Sequence, residues 1–411
     1  MLPRGTVTVG GGLAVLGASS YVYLAVSARQ LTPNAFGQIS VLYSLVYTAG
    51  PGAFLPVEQE LARALADRRA RGVGGAPLVR RATVISGVYA AALGVLVLAT
   101  GPLTVPGLFD GSWALLGCLV LALAGLWAVY LSRGVLAGMD RFADYGAQLA
   151  LEGGSRIVAV VVLAALGLHG TGGYGVLIGA GLLLAAVLTA RPTVTAVTPG
   201  PPAGWQELSS ALGWMLVGSV LAQALVNAPP IAAKVLARSG DSVVAGQVLT
   251  GTVLARLPLF AFAAVQAALL PGLAALLATG DRPGFVRGLR RLLVAAGVVT
   301  VVTTAVAGVA GNRLLHLFFG DRYNLGNDVL MQLALASGLY MAAVIVGQSL
   351  LALRRYRVAA AGWAVGVVVF VAVAASGREL VIRVVDAFLV ATLAALGALA
   401  LALRRQLRDA A

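Results

Sequence analysis

Residues 248–277 read "VLTGTVLARLPLFAFAAVQAALLPGLAALL", and Arg256 is the only charge among them. About 20 apolar residues span the hydrocarbon core of a bilayer as a helix, so this stretch is long enough to cross. Similar runs recur along all 411 residues, of which 60% are hydrophobic and 11% charged. A soluble domain of this length has too little interior to bury that much apolar surface. A membrane β-barrel is excluded, since its strands would alternate polar and apolar residues in short segments. The fold class is therefore all-α and polytopic.

About twelve spans can be placed: 5–28, 36–57, 82–105, 112–131, 146–168, 171–190, 209–235, 245–276, 290–310, 328–351, 357–376 and 381–403. The loops between them alternate in charge. The connection "RALADRRARGVGGAPLVRR" after the second span carries six arginines, and its side of the membrane collects 20 of the 29 basic residues, Arg133 among them. The opposite side holds six: Arg29, Arg238, Arg313, Arg322, Arg378 and Arg383. Cationic loops stay in the cytoplasm, so both termini are expected there, in a bacterial cytoplasmic membrane. One lysine against 28 arginines, with heavy alanine, valine and glycine usage, suits a GC-rich actinobacterial genome. The net charge of +14 follows the same loops, so nucleic acid is not expected as a partner. A single cysteine, Cys118, allows no intrachain disulfide, and His169 and His316 are too far apart in sequence to suggest a zinc site. The first apolar run ends in no small-residue cleavage site, so a cleaved signal peptide is not expected.

The chain falls into two halves. Residues 190–210, "ARPTVTAVTPGPPAGWQELSS", are rich in proline, glycine and threonine and sit at the midpoint of the spans. They divide an N-terminal bundle (1–190) from a C-terminal bundle (209–411) through a cytoplasmic linker (191–208). "AFGQISVLYS" (35–44) after the first span is echoed by "VAGQVLTGTV" (244–253) after the seventh. A parallel repeat of six helices is a transporter signature, with the substrate path expected between the halves.

Four segments carry a family resemblance. "VSARQLTPNAFGQISVLYSL" (26–45), "LSRGVLAGMDRFADYG" (131–146), "ALLPGLAALLATGDRPGFVRGLRR" (268–291) and "LLALRRYRVAAAG" (350–362) resemble, in order and spacing, the motifs of the Wzx-like polysaccharide flippases. These form a branch of the MOP (multidrug, oligosaccharidyl-lipid and polysaccharide) exporter superfamily. The chain departs from that pattern at Thr32, where a glycine is usual. The resemblance implies two pseudo-symmetric six-helix bundles in a MATE-like fold. It further implies a secondary-type transporter that flips a polyprenyl diphosphate-linked oligosaccharide to the outer leaflet by alternating access. It implies no enzyme activity and no cofactor beyond a coupling proton or sodium ion. The expected partners are the lipid-linked glycan and membrane lipids, with a monomer working beside polysaccharide assembly enzymes. The rival is a proton-coupled multidrug exporter of major facilitator or MATE type. An enzyme would need catalytic acids or histidines in a sizeable loop, and the loops are short.

Polar residues inside spans are the candidate site, because a central charge is expensive and usually faces a bundle interior or a watery cavity. Arg156, Lys234 and Arg256 are the basic residues expected inside spans. Arg256 is expected near the middle of a bilayer core ~30 Å thick. A guanidinium there suits a diphosphate, which it can grip with two parallel hydrogen bonds; Thr252 is one turn away. The plainer alternative pairs Arg256 with a carboxylate or helix end. Gln223, Asn227 and Lys234 share one face of the seventh span, where Pro229 and Pro230 suggest a kink or break. Lys234 is expected to snorkel to the outer interface. Tyr43, Tyr47, Phe54 and Glu58 share a face of the second span, suited to stacking on sugar or to helix packing; Glu58 is expected to pair with the basic loop. Arg29 follows the first span and is either structural or guards the outer mouth. Glu152 and Arg156, at i and i+4, are read first as an ion pair and second as the coupling site. The small-xxx-small runs "GVLAG" (134–138), "GVLIG" (175–179) and "GWAVG" (362–366) are expected to pack helices.

Overall fold

A computed structural model describes residues 4–204, 207, 212–237, 243–256, 281–376 and 379–408. The described residues form helices joined by short turns. These are α1 (Arg4–Gln30), α2 (Pro33–Ala49), a π turn (Gly50–Phe54), α3 (Leu55–Ala70), α4 (Ala76–Ala99), α5 (Gly101–Phe109), α6 (Trp113–Gly138), α7 (Phe142–Ala165), α8 (Thr171–Leu188) and α9 (Ala190–Thr195). They continue as α10 (Leu212–Leu236), α11 (Val243–Ala255), α12 (Arg282–Phe319), α13 (Asn327–Ala352), α14 (Tyr356–Ala374) and α15 (Leu380–Arg408). Eleven stretches among them are long and apolar enough to cross a membrane. The expected eighth span, 245–276, is described only as far as Arg256. Its remainder, with the "ALLPGLAALLATG" part of the family motif, lies outside the described residues. Two compact units emerge from the packing, Met1–Val220 and Leu221–Ala411.

Local chemistry sets the helix ends. Thr32, the departure from the family motif, caps α2: its hydroxyl accepts from the Ala35 amide at 3.3 Å, and Pro33 fills the first helical position. Asp281 caps α12 in the same way, accepting from the Gly284 amide at 2.9 Å. That helix runs 38 residues, ~57 Å, far beyond the expected 290–310. The expected third span ends early: Pro102 has no N–H to continue the ladder, and α4 gives way to α5 at Thr100.

Two further boundaries change the chemistry. The expected fourth span stopped at residue 131, yet α6 continues to Gly138, which places Arg133 inside a helix rather than in a loop. Likewise "LARALADRR" is helical, as α3. The cause is packing between these two segments. A Cβ on Gly134 would lie 3.0 Å from the Glu58 carbonyl oxygen, and one on Gly138 would lie 2.8 Å from that of Ala62. Bare glycines let the backbones meet, and Leu61, Ala64 and Leu65 of α3 pack with Leu78, Ala82 and Val135. "GVLIG" seats α8 on α6, with Gly179 against Ala122, and "GWAVG" seats α14 on α15, with Gly366 against Ala395. Substituting Gly138→Val is expected to destabilise the protein by about 1–3 kcal/mol through overpacking. Thermal unfolding in detergent, with Gly117→Val at an open position as the control, measures it.

Burial separates central from peripheral helices. In the α2–α3 span and in α13, 67% of the most apolar window is covered by protein, against 11% in α4 and α12. The last two present bare valines such as Val88, Val95, Val301 and Val309 outward, as lipid-facing helices do.

The segment after α9 is fastened to α3 and α4. The Ala76 amide donates to the Thr198 carbonyl at 3.0 Å, and Arg81 donates to the Ala203 carbonyl. Buried Arg68 is the main anchor. It grips both carboxylate oxygens of Glu207, at 2.6 and 2.9 Å, and donates to the Gly74, Pro201 and Pro202 carbonyls. Four other arginines of the basic loop also have partners: Arg63 pairs with Glu60, Arg69 with Asp140, Arg71 with Asp67, and Arg81 with the Ala203 carbonyl. The hydrogen bonds from Arg68 hold the Glu207 carboxyl down at about 2, below the usual ~4.3. A depressed carboxyl stabilises the docked form fully above the ordinary value and loses that contribution as pH falls toward the depressed one. Hydrogen exchange of residues 196–204 is therefore expected to stay slow at pH 5 and to speed up only as pH drops through about 4 toward about 2. Glu207→Gln is expected to release the segment already at neutral pH.

Candidate functional site

The first unit contains a continuous buried polar seam built on one face of α7. Tyr145, Gln148, Glu152 and Arg156 recur at steps of three and four residues, so they line up along the helix. The face turns inward because α1 and α7 approach backbone to backbone: a Cβ on Gly153 would lie 2.9 Å from the Leu16 Cα. Each polar residue then meets a different helix. The Tyr145 hydroxyl donates to Glu58 of α3 at 2.7 Å. Gln148 donates to Ser132 of α6 at 2.7 Å and to Thr189 beyond α8 at 2.6 Å.

Glu152 is the centre of the seam. It lies ten residues inside α7, ~15 Å from that helix's start, and is 5% exposed. Arg133 donates to one of its oxygens at 2.5 Å and Arg156 to the other at 3.0 Å. The expected pair is thus a triad, and its third member was hidden by the span boundary that left Arg133 in a loop. The Arg133 guanidinium also lies 5.6 Å above the Tyr130 ring. Arg156 extends the seam to α1 and α2, donating to Ser19 at 3.3 Å and to the Tyr47 hydroxyl at 3.1 Å. Tyr47 shares a 2.7 Å hydrogen bond with Ser20 and stacks on Tyr43 at 4.2 Å between centroids.

The expected four-residue face of the second span does not survive. Tyr43 and Tyr47 join the seam, whereas Phe54 packs on Tyr89 and Tyr130 of α4 and α6. The π turn at Gly50–Phe54, with Pro51 inside it, lies between them. It adds a residue to the turn and rotates everything downstream. Glu58 follows the turn and bonds Tyr145 rather than the basic loop. Arg29 is exposed in the last turn of α1, where a cation complements the helix dipole.

The second unit holds the other expected residues. α11 ends at Ala255, and the Arg256 amide closes a turn onto the Val253 carbonyl at 3.1 Å. Arg256 therefore follows a helix end rather than sitting within a described helix. Its half-buried side chain donates to the Asn227 side-chain oxygen at 3.0 Å. The Asn227 amide in turn donates to the Gln223 carbonyl at 2.9 Å. This bond fixes which side of the amide faces the arginine. Tyr340 of α13 lies within the field of Arg256 and packs on Trp363 at 5.5 Å, an aromatic pair the sequence reading missed. Thr252 is fully buried, and its hydroxyl donates to the Val248 carbonyl at 2.6 Å. It packs α11 and offers no hydroxyl hydrogen to a ligand there. Lys234 is 5% exposed, so it does not snorkel free of the protein; its neighbour Ala233 packs with Val248 and Val384. α10 runs as one helix through Pro229 and Pro230, so of the expected kink or break, the break is absent.

Arg256 thus meets Asn227, and its field reaches Tyr340. The triad gathers Tyr43 and Tyr47 through Arg156. A guanidinium beside aromatic rings and amides can hold a phosphate and stack a sugar.

No family model matches the chain. Among sequence relatives, the uncharacterized protein Rv1510 of Mycobacterium tuberculosis is 26% identical over 372 residues, covering 88% of this chain and 83% of the relative. The uncharacterized protein Rv3630 of the same species is 25% identical over 363 residues, covering 86% and 81%. Solved structures are more informative. The inward-facing form of a MATE-family multidrug resistance transporter of the MOP superfamily superposes with a TM-score of 0.71 at 13% identity, over 98% of this chain and 99% of that one. A MATE transporter of Vibrio cholerae gives 0.67 at 18% identity, over 98% and 96%. A MOP superfamily transporter of Pyrococcus furiosus, described as having a binding pocket of reversed polarity that suggests a different function, gives 0.65 at 12%, over 97% and 95%. The chain has the fold of the MATE transporters of the MOP superfamily.

Proposed function

We propose that this chain is a MOP-type membrane transporter of an anionic cargo, a polyprenyl diphosphate-linked oligosaccharide, which it flips between leaflets by alternating access of its two halves. The state of Glu152 carries this reading. A pump for cationic drugs wants a carboxylate inside its helices with an oxygen to offer, and here both oxygens of buried Glu152 are taken by arginines. The four flippase-like sequence motifs support the same cargo. The Pyrococcus furiosus transporter supports it too, because a MOP fold there has reversed pocket polarity. Arg256, held by Asn227, is the residue assigned to the diphosphate. Glu152 and Arg156 couple transport to a proton or sodium ion only if Glu152 leaves one of its arginines. The excess of arginines on one set of loops sets both termini in the cytoplasm of a bacterium.

The test is reconstitution of the full chain in proteoliposomes. One assay follows a fluorescent polyprenyl diphosphate sugar by its protection from an impermeant reductant. The other follows ethidium under an imposed proton gradient. Flipping of the glycolipid without ethidium movement is expected. Ethidium transport without glycolipid flipping overturns the proposal in favour of a multidrug exporter.

A further inference from the structure

Away from the seam, the start of α4 and the fastened segment after α9 enclose an open groove of about 620 Å³. Its lining combines two unlike kinds of residue. Arg80 and Arg81 provide positive charge, Arg80 exposed and Arg81 held in place by the Ala203 carbonyl. Val84, Ile85, Pro199 and Pro202 provide apolar walls. The apolar wall does not end with the groove. Val84 and Val88, one turn apart, are 60% and 66% exposed, and Val95, two turns further, is 65% exposed. The stripe runs down a membrane-crossing helix of which only 11% is covered by protein. Charge at the mouth of a lipid-facing helix, continuous with a bare valine stripe, matches an amphiphile with an anionic head and acyl chains.

We propose that this groove is a binding site for one anionic phospholipid of the leaflet that α4 enters, its phosphate on Arg80 and its chains along Val84 and Val88. A soluble phosphate would meet the arginine and leave the apolar wall uncovered, and a zwitterionic lipid would bring its own cation against Arg80 and Arg81. The site has a consequence for the chain. One wall belongs to α4 and the other to the segment after α9, so a bound headgroup fastens that segment to α4 alongside the Arg68–Glu207 pair.

The experiment uses the purified full chain in detergent with phosphatidylglycerol or phosphatidylcholine added, counting retained lipid by native mass spectrometry. The wild type is expected to retain phosphatidylglycerol in preference. Arg80→Ala is expected to lower that retention about fivefold, from roughly one charge's worth of surface attraction, whereas Arg80→Lys keeps it. Arg80 is exposed on the surface, so neither change threatens folding. Excess inorganic phosphate is expected to leave the lipid in place. Hydrogen exchange of residues 196–204 is expected to be slower with phosphatidylglycerol than with phosphatidylcholine in the wild type and equal in Arg80→Ala. Undiminished retention in Arg80→Ala overturns the proposal. So does loss in Arg80→Lys, or displacement of the lipid by phosphate, which would make this a soluble-anion site.

Discussion

Glu152→Gln is expected to destabilise the first unit by about 3–5 kcal/mol, the range for breaking a buried ion pair from one side. The substitution is nearly isosteric, so no cavity forms. What changes is charge: Arg133 and Arg156, respectively 4% and 2% exposed, converge on the same carboxylate, and without it they repel each other. Arginine cannot relieve this by losing its proton. Against a typical total stability of about 5–15 kcal/mol, the loss is large, and folded yield from membranes should fall with the unfolding temperature. The partner change separates charge from shape. Glu152→Gln combined with Arg133→Gln removes one cation along with the anion, so the double variant is expected to be more stable than Glu152→Gln alone. That non-additivity is the signature of residues acting together. Thermal unfolding of the wild type, Glu152→Gln, Arg133→Gln and the double variant in one detergent measures it. An unchanged transition for Glu152→Gln would show that the triad does not hold its charges as described.

Arg256→Ala is expected to lower glycolipid flipping by roughly 10–100-fold, the range for losing one charge-assisted hydrogen-bonding group, with the unfolding temperature nearly unchanged. The two readouts should part here because Arg256 is half-buried at a helix end rather than locked among charges. Arg256→Lys keeps the charge but not the two-pronged geometry, so an intermediate rate is expected. Asn227→Ala, which removes the side chain that receives Arg256 at 3.0 Å, should also give an intermediate rate through positioning. Proteoliposome flipping at matched protein amounts measures all three. Normal flipping in Arg256→Ala would remove the site assignment and leave the fold untouched.

Much of the seam was in principle readable. The steps Tyr145, Gln148, Glu152 and Arg156 put four polar residues on one helical face, and reading only the last two missed half of it. Arg133 escaped because an apolar-run criterion ends a span where polarity rises. α6 instead continues while Gly134 and Gly138 let α3 pack on it. Phe54 was misassigned for a different reason. Helical spacing assumes an unbroken α register, and the π turn at Gly50–Phe54 adds a residue to it. The anchoring role of Arg68 leaves no local trace because its partner, Glu207, lies 139 residues away in sequence.

The sequence by itself determined the all-helical membrane fold, the order of the spans and the glycine motifs where helices meet. A bilayer allows few ways to satisfy a backbone, and it imposes a length on every apolar run. Those constraints are local and leave a local trace. Only the tertiary structure decided which distant side chains meet: Arg133 on Glu152, Asn227 under Arg256, and Arg68 on the connecting segment. Such pairings depend on angstrom-scale approach between helices distant in the chain, and no short-range pattern of residues encodes that distance.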